Sequence, residues 1–136
     1  MSKYIIIAIF SICSLLAVII IGLSIGFYFP TFSIVLIPAV IMQTYTGIRA
    51  FRVHPAFTSW ILVSGFAFLA FSLFRPDADA HGQFSGYGVL MYHLGLSETE
   101  HTEPWRFSLE LALLLILFQI FVNTYILRHK VVPTGK

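Results

Sequence analysis

Charge is what this sequence lacks most. Of its 136 residues, eight are Lys or Arg and six are Asp or Glu, 10% together, where a water-soluble domain carries about a quarter. So few charges cannot cover a surface that faces water, which excludes an ordinary soluble domain and leaves lipid as the main solvent. The net charge of +2, with no basic stripe, argues against nucleic acid as a partner. Cysteine is almost missing as well. Cys13 is the single one, so an intramolecular disulfide is excluded and no CxxC exists for thiol chemistry. Ile12 stands before it, where a lipid-attachment motif needs a small residue, and Cys13 reads as a buried structural thiol. There is no GxxxxGK[ST], GxSxG or HExxH. The apolar runs hold no histidine, so a bis-histidine haem within the membrane has no ligands. These absences make a non-enzyme the expectation.

What is present is apolar and comes in four runs, read as one domain over residues 1–136. The first, Tyr4–Phe29, is long enough for a helix of about 39 Å against a hydrocarbon core of about 30 Å. It lacks the short apolar stretch and small-residue cleavage site of a signal peptide, and reads as a retained span. The second is Thr31–Ile48, with Pro38 near its middle predicting a kink. The third is Ala56–Phe74, with Pro55 suited to its first turn and Arg75-Pro76 closing it. The fourth is Phe107–Leu127, with Thr102 or Glu103 as cap and Pro104 in the first turn. In lipid the backbone must satisfy its own hydrogen bonds, so all four runs are predicted helical. The polar–apolar alternation of a membrane β-barrel is missing from Ile5-Ile6-Ile7 and from Leu113–Phe118.

Short connections at Phe29-Pro30-Thr31 and Arg49–Pro55 make neighbouring helices antiparallel. The expected fold is all-α: a four-helix transmembrane bundle, up-down-up-down. Lys3, Arg49, Arg52, Arg128, Lys130 and Lys136 then fall on one side, and all six acidic residues on the other or at its edge. The positive-inside rule makes the N- and C-termini cytoplasmic and residues 75–106 an outer loop. Trp105 and Tyr28 mark the outer interface; Tyr4, Trp60 and Tyr125 mark the inner one. With no transit signal in view, a bacterial plasma membrane is the expected home.

Three groups of residues are candidates for function. Gly22 and Gly26 form a GxxxG, which lets another helix backbone approach; packing within the chain is preferred over dimerisation. Ser64, Gly65, Ala67 and Ala70 supply a similar small face on the third span. Glu110 is the only carboxylate inside a span. It sits about one turn from the outer interface, where it reaches water or pairs with Arg106 four residues earlier. Gln119 and Asn123 share a face of the fourth span, but Glu110 lies nine residues before Gln119, half a turn away at about 100° per residue. Those groups do not make a continuous ion path. Gln43 is placed to hydrogen-bond Gln119 or Asn123 across the bundle, a contact worth about 0.6 kcal/mol.

The third group lies in the outer loop. Asp77, Asp79, His81, His93 and His101 are nitrogen and oxygen donors of the kind that suit Zn²⁺ or Cu²⁺, although their spacing matches no ligand motif and a solvated acidic loop is the plainer reading. Between them, Phe84–Leu96 is apolar, broken by glycine and too short to span. It reads as an interfacial or lid-like segment, or one that docks on a partner subunit. Four-span small multidrug transporters are similar in size, but they carry an essential carboxylate in the first span, which here has none.

The expected function is that of a non-catalytic accessory or assembly partner in the membrane, meeting lipid, other membrane subunits or further copies of itself. A transporter or channel with Glu110 near its outer mouth is the alternative. A metal-handling protein using the outer-loop histidines, with a divalent metal as cofactor, is the third reading.

Overall fold

The computed structural model describes residues 2–99 and 107–129. It is mostly helical, and four of its helices are long and apolar enough to cross a membrane. In chain order the elements are α1 (Lys3–Leu23), α2 (Phe29–Arg49), α3 (Thr58–Phe74), the strands β1 (Pro76–Asp79) and β2 (Gly82–Ser85), α4 (Gly86–His93) and α5 (Phe107–His129). Two short 3-10 turns, Ala50–Arg52 and Pro55–Phe57, carry the chain from α2 to α3.

The long helices are apolar on both faces, as lipid requires. On α1 the buried residues Ile6, Phe10, Cys13, Ala17 and Ile20 recur every three or four positions. Ile12, Leu15, Leu16 and Ile19 on the same helix are exposed. On α2 the buried set is Phe32, Leu36, Ala39, Gln43 and Thr46, again at helical spacing. The helix runs on through Pro38, whose missing N–H leaves the Ile34 carbonyl without its usual donor. The helix α3 packs against α1 and α5, and α5 in turn against α2; α1 and α2 barely meet although they adjoin in the chain.

The core divides in two. One cluster joins Ala17, Ile21, Phe32, Leu36, Phe68, Phe71, Ala112 and Ile116. The other joins Ile7, Phe10, Ala50, Val53, Ile61, Val122 and Ile126. On each long helix a polar residue falls between the two, Ser14, Gln43, Ser64 and Gln119, and Asn123 follows one turn on, beside Val122 of the second cluster.

The first helix ends six residues before the predicted Phe29. Three backbone N–H groups beyond it are taken by the segment after α3: Gly26 and Tyr28 donate to the Asp77 carboxylate, and Phe27 donates to the Ala78 carbonyl. Those bonds replace the helical ones, so the chain turns at residues 24–28. The predicted cap residues Thr102 and Glu103 lie outside the described residues.

The Gly22–Gly26 pair is not a helix-packing motif within the chain. A β-carbon on Gly22 would meet nothing within 4 Å, and Gly26 has left the helix to lie against Ala78 and Asp77. Close approach of α1 is made from α3 instead, where a β-carbon on Gly65 would stand 3.3 Å from the Phe10 Cα. The loop after α3 is built rather than open. Strands β1 and β2 pair antiparallel from Pro76↔Ser85 to Asp79↔Gly82. Asp79 closes their turn by accepting from the His81 and Gly82 N–H groups at 2.7 and 3.1 Å.

Gly86 opens α4 in a place where any β-carbon would overlap the Ser72 carbonyl oxygen. Gly86→Ala is therefore expected to lower the unfolding midpoint in mild detergent, by about 1–3 kcal/mol in stability as for other overpacked sites. Gly22→Ala, which meets open space in a helix, should leave the midpoint unchanged or raise it slightly.

Candidate functional site

Two polar sites hold the helices, and Gln43 is the centre of the first. Its Oε1 accepts from Gln119 Nε2 at 2.6 Å and Asn123 Nδ2 at 2.9 Å, both on α5. Ser64 Oγ on α3 stands 3.0 Å from the same oxygen and 2.8 Å from Asn123 Oδ1. Its one proton serves either acceptor, but not both at once. Gln43 Nε2 donates to Ser14 Oγ on α1 at 2.8 Å, and Ser14 donates to the Phe10 carbonyl. One carboxamide on α2 thus ties all three other long helices. Gln119 also donates to the Ala39 carbonyl, while its Oε1 has no partner among the described residues. Gln43, Ser64, Gln119 and Asn123 are all buried.

The second site lies where α3 ends. Arg75 and Asp77 form an ion pair at 3.0 Å with both side chains fully buried. Arg75 also donates to the Ser24 carbonyl and to Ser24 Oγ, and its guanidinium sits 5.7 Å from the ring centres of both Phe29 and Phe32. Burial pushes the guanidinium below its ordinary value, while the Asp77 charge and hydrogen bond oppose that shift; an arginine so placed stays charged at neutral pH. Asp77 Oδ1 accepts from the Tyr28 and Ala78 N–H groups, and Oδ2 from Gly26 N–H and Arg75. A carboxylate offers about four lone-pair sites, and all four are used.

The sequence-predicted residues separate accordingly. Gln43, Gln119 and Asn123 come together. Glu110 is exposed on the first turns of α5 and is no part of their cluster. Among the metal candidates, Asp77 is committed to Arg75 and three backbone groups. Asp79 caps the hairpin turn, and His93 Nδ1 lies 3.0 Å from the Val89 carbonyl oxygen within α4. His101 lies outside the described residues. Among the described residues, no three His, Cys, Asp or Glu side chains are grouped as metal ligands.

Arg75, Ser14 and Ser64 are the participants that sequence reasoning missed. Arg75 was legible as a helix stop, and its signal as a partner was its place two residues before an aspartate at the end of an uncharged run. The serines gave no signal beyond small size.

No family model, no curated protein and no solved structure matches this chain, so what its polar side chains do rests on their own geometry.

Four outcomes follow from that geometry. Gln43→Leu removes the acceptor of Asn123 Nδ2 and leaves Gln119 and Ser64 with one acceptor each, the Ala39 carbonyl and Asn123 Oδ1, and should cost about 1–3 kcal/mol in reversible unfolding from mixed micelles. Thr44→Val, which removes an exposed hydroxyl bonded only to the Val40 carbonyl, should be close to neutral by the same measure. Asp77→Asn leaves a buried guanidinium without its counter-charge and should cost about 3–5 kcal/mol. Adding Arg75→Met to it should recover part of that loss, since no buried charge is then unmatched.

Proposed function

We propose that the chain is a multi-pass integral membrane protein, an up-down-up-down four-helix bundle, and that it acts without catalysis as an accessory or assembly partner of other membrane subunits. Contacts at both ends support the alternation. Lys3 Nζ donates to the Phe51 and Val53 carbonyls at 2.8 Å each, so the start of α1 lies beside the connection from α2 to α3. Asp77 binds Gly26 and Tyr28, so the end of α3 lies beside the turn from α1 to α2. Lys3, Arg49 and Arg52 gather at the first of these ends, which the positive-inside rule assigns to the cytoplasm. A bacterial plasma membrane is the expected setting for that orientation.

The single observation that carries the reading is that the amides of Gln43, Gln119 and Asn123 and the Ser64 hydroxyl bond one another inside the bundle, with Gln119 Oε1 left over and the buried Thr46 and Thr58 hydroxyls outside their network. In transporters, intramembrane polar residues face a cavity or pathway. Here Gln43, Ser64, Gln119 and Asn123 close on themselves between two apolar clusters, and Glu110 stands apart from them. What remains for partners is apolar. Ile34, Ile37, Ile41 and Ile48 line an exposed face of α2. Where α1 and α2 diverge, a groove of about 310 Å³ opens, lined by Phe10, Ser14, Val18, Val40, Gln43 and Gly47 among others. Its hydroxyls are bonded within their own helices, which suits apolar side chains of a neighbouring span.

Purification from native membranes in mild detergent tests the proposal. A stable assembly holding other membrane proteins in fixed stoichiometry is expected. An isolated homo-oligomer that passes a solute in liposomes, with flux lost on Glu110→Gln, would replace it with the transport reading.

A further inference from the structure

We propose that α4 and the residues after it, through Leu96, lie in the bilayer on the hairpin side as a re-entrant interfacial segment, with Tyr87, Tyr92, Leu94 and Leu96 facing lipid. The inference rests on the four-span reading and adds a fifth membrane contact to it.

Depth is the first argument. Gly86 is wedged against the Ser72 carbonyl and lies beside the Ile20 side chain. Ser72 belongs to the last turn of α3 and Ile20 to the last turns of α1. The start of α4 is therefore beside the spans, not beyond their ends. The helix stays in contact with both α1 and α3, and its Val89 is buried.

Backbone closure is the second, and it is independent of depth. Water caps helix ends freely, whereas a segment in lipid must find those partners in itself. At the start of α4, Ser85 Oγ accepts from the Gly88 N–H at 3.2 Å, and Gly86 donates its N–H to the Arg75 carbonyl. At its end, Gly95 takes φ +70°, a left-handed conformation that glycine adopts without strain. That turn lets Leu96 N–H bond the Met91 carbonyl and Gly95 N–H bond the Tyr92 carbonyl, both at 2.9 Å, the paired closure of a Schellman cap. Leu94 N–H returns to the Leu90 carbonyl, and His93 Nδ1 reaches that of Val89. Of the carbonyls that the helix end leaves without an intrahelical donor, those of Met91 and Tyr92 are engaged in this way.

Composition is the third. The exposed side chains are two tyrosines and two leucines, each 46–67% exposed, and His93, whose Nδ1 is turned back to the Val89 carbonyl. Tyrosine is the residue that seats an apolar ring in lipid with its hydroxyl at the headgroups. From Phe84 to Leu96 the chain carries no Asp, Glu, Lys or Arg. A segment meant for water would not be so composed.

Nitroxide labels test this on a Cys13→Ala background in phospholipid vesicles. Single cysteines replace Tyr87, Tyr92 or Leu96, with Phe121→Cys on the exposed face of α5 as the lipid standard and Ala80→Cys at the hairpin tip as the water standard. Collision with oxygen, which partitions into lipid, is compared with collision with a water-soluble nickel chelate. Labels at 87, 92 and 96 should favour oxygen severalfold over nickel, as at Phe121, while Ala80 favours nickel. Labels that match Ala80 would overturn the proposal, and so would labels shielded from both reagents, which would mean a protein cover. A nickel-favouring signal at Phe121 itself would sink the four-span reading, and the re-entrant segment with it. That failure is distinct from one confined to α4.

Discussion

In hydrocarbon, apolar helices gain nothing from the hydrophobic effect by meeting one another, because lipid tails are as apolar as leucine. The position of each helix must come from shape and from the few groups that lipid cannot satisfy. Gln43 Oε1 is the strongest such constraint in this chain. It gathers donors from α5 and α3, while the Nε2 of the same side chain binds α1. The direct worth of one interhelical hydrogen bond is small, about 0.6 kcal/mol. The cost of misplacing the helices is larger, because an unpaired buried amide loses about 1–3 kcal/mol. Shifting any helix by one turn would strand several of these groups together. The junction therefore sets register more than it sets total stability, as buried polar groups do in coiled coils.

The ion pair after α3 applies the same logic at one end. Arg75 and Asp77 lie two residues apart, so their attraction alone would fix nothing distant. What they fix is the turn from α1 to α2, because the remaining valences of both reach the Ser24 carbonyl and the Gly26 and Tyr28 amides. Taking two charges out of water is expensive, and hydrogen bonds to every remaining site are the condition under which it is tolerated. Asp77 meets that condition fully; Arg75 meets it at both terminal nitrogens but not at Nε. Ending α1 at Leu23 is the consequence: its chain continues as a ligand of the aspartate instead of as helix.

This explains which features were legible in the residues and which were not. The four apolar stretches follow from charge scarcity and length, quantities that need no neighbours. The meeting of Gln43 with Gln119 and Asn123 was readable as an option, since isolated amides in lipid have few other partners. Ser14 and Ser64 were not, because a serine in a membrane helix more often bonds its own backbone, as Ser11 does with the Ile7 carbonyl. The early end of α1 was hidden for a stronger reason. It depends on a carboxylate 51 residues beyond Gly26, and no local pattern in Ser24–Tyr28 announces it. Gly22 and Gly26 illustrate the opposite error: spacing proposed a packing face, but only one glycine remained on the helix. The close approach was made at Gly65, a single glycine with no motif around it.

The two polar sites together bear on what the exposed faces can do. The ion pair pins one end of α1, α2 and α3, Lys3 ties the other end of α1 to the α2–α3 connection, and the Gln43 junction holds the level between. Helices held at three depths do not rearrange freely around a substrate, and a pathway opened between them would have to break bonds that lipid cannot replace. A rigid frame with apolar, unevenly spaced faces is suited to being contacted. The groove between α1 and α2 exists because those helices are joined at their ends yet packed mainly on α3 and α5, so the connection holds them close while their partners draw them apart. A neighbouring span that filled that groove would gain dispersion contacts against Phe10 and Val18, while Gln43 keeps its own bonds to Ser14, Gln119 and Asn123.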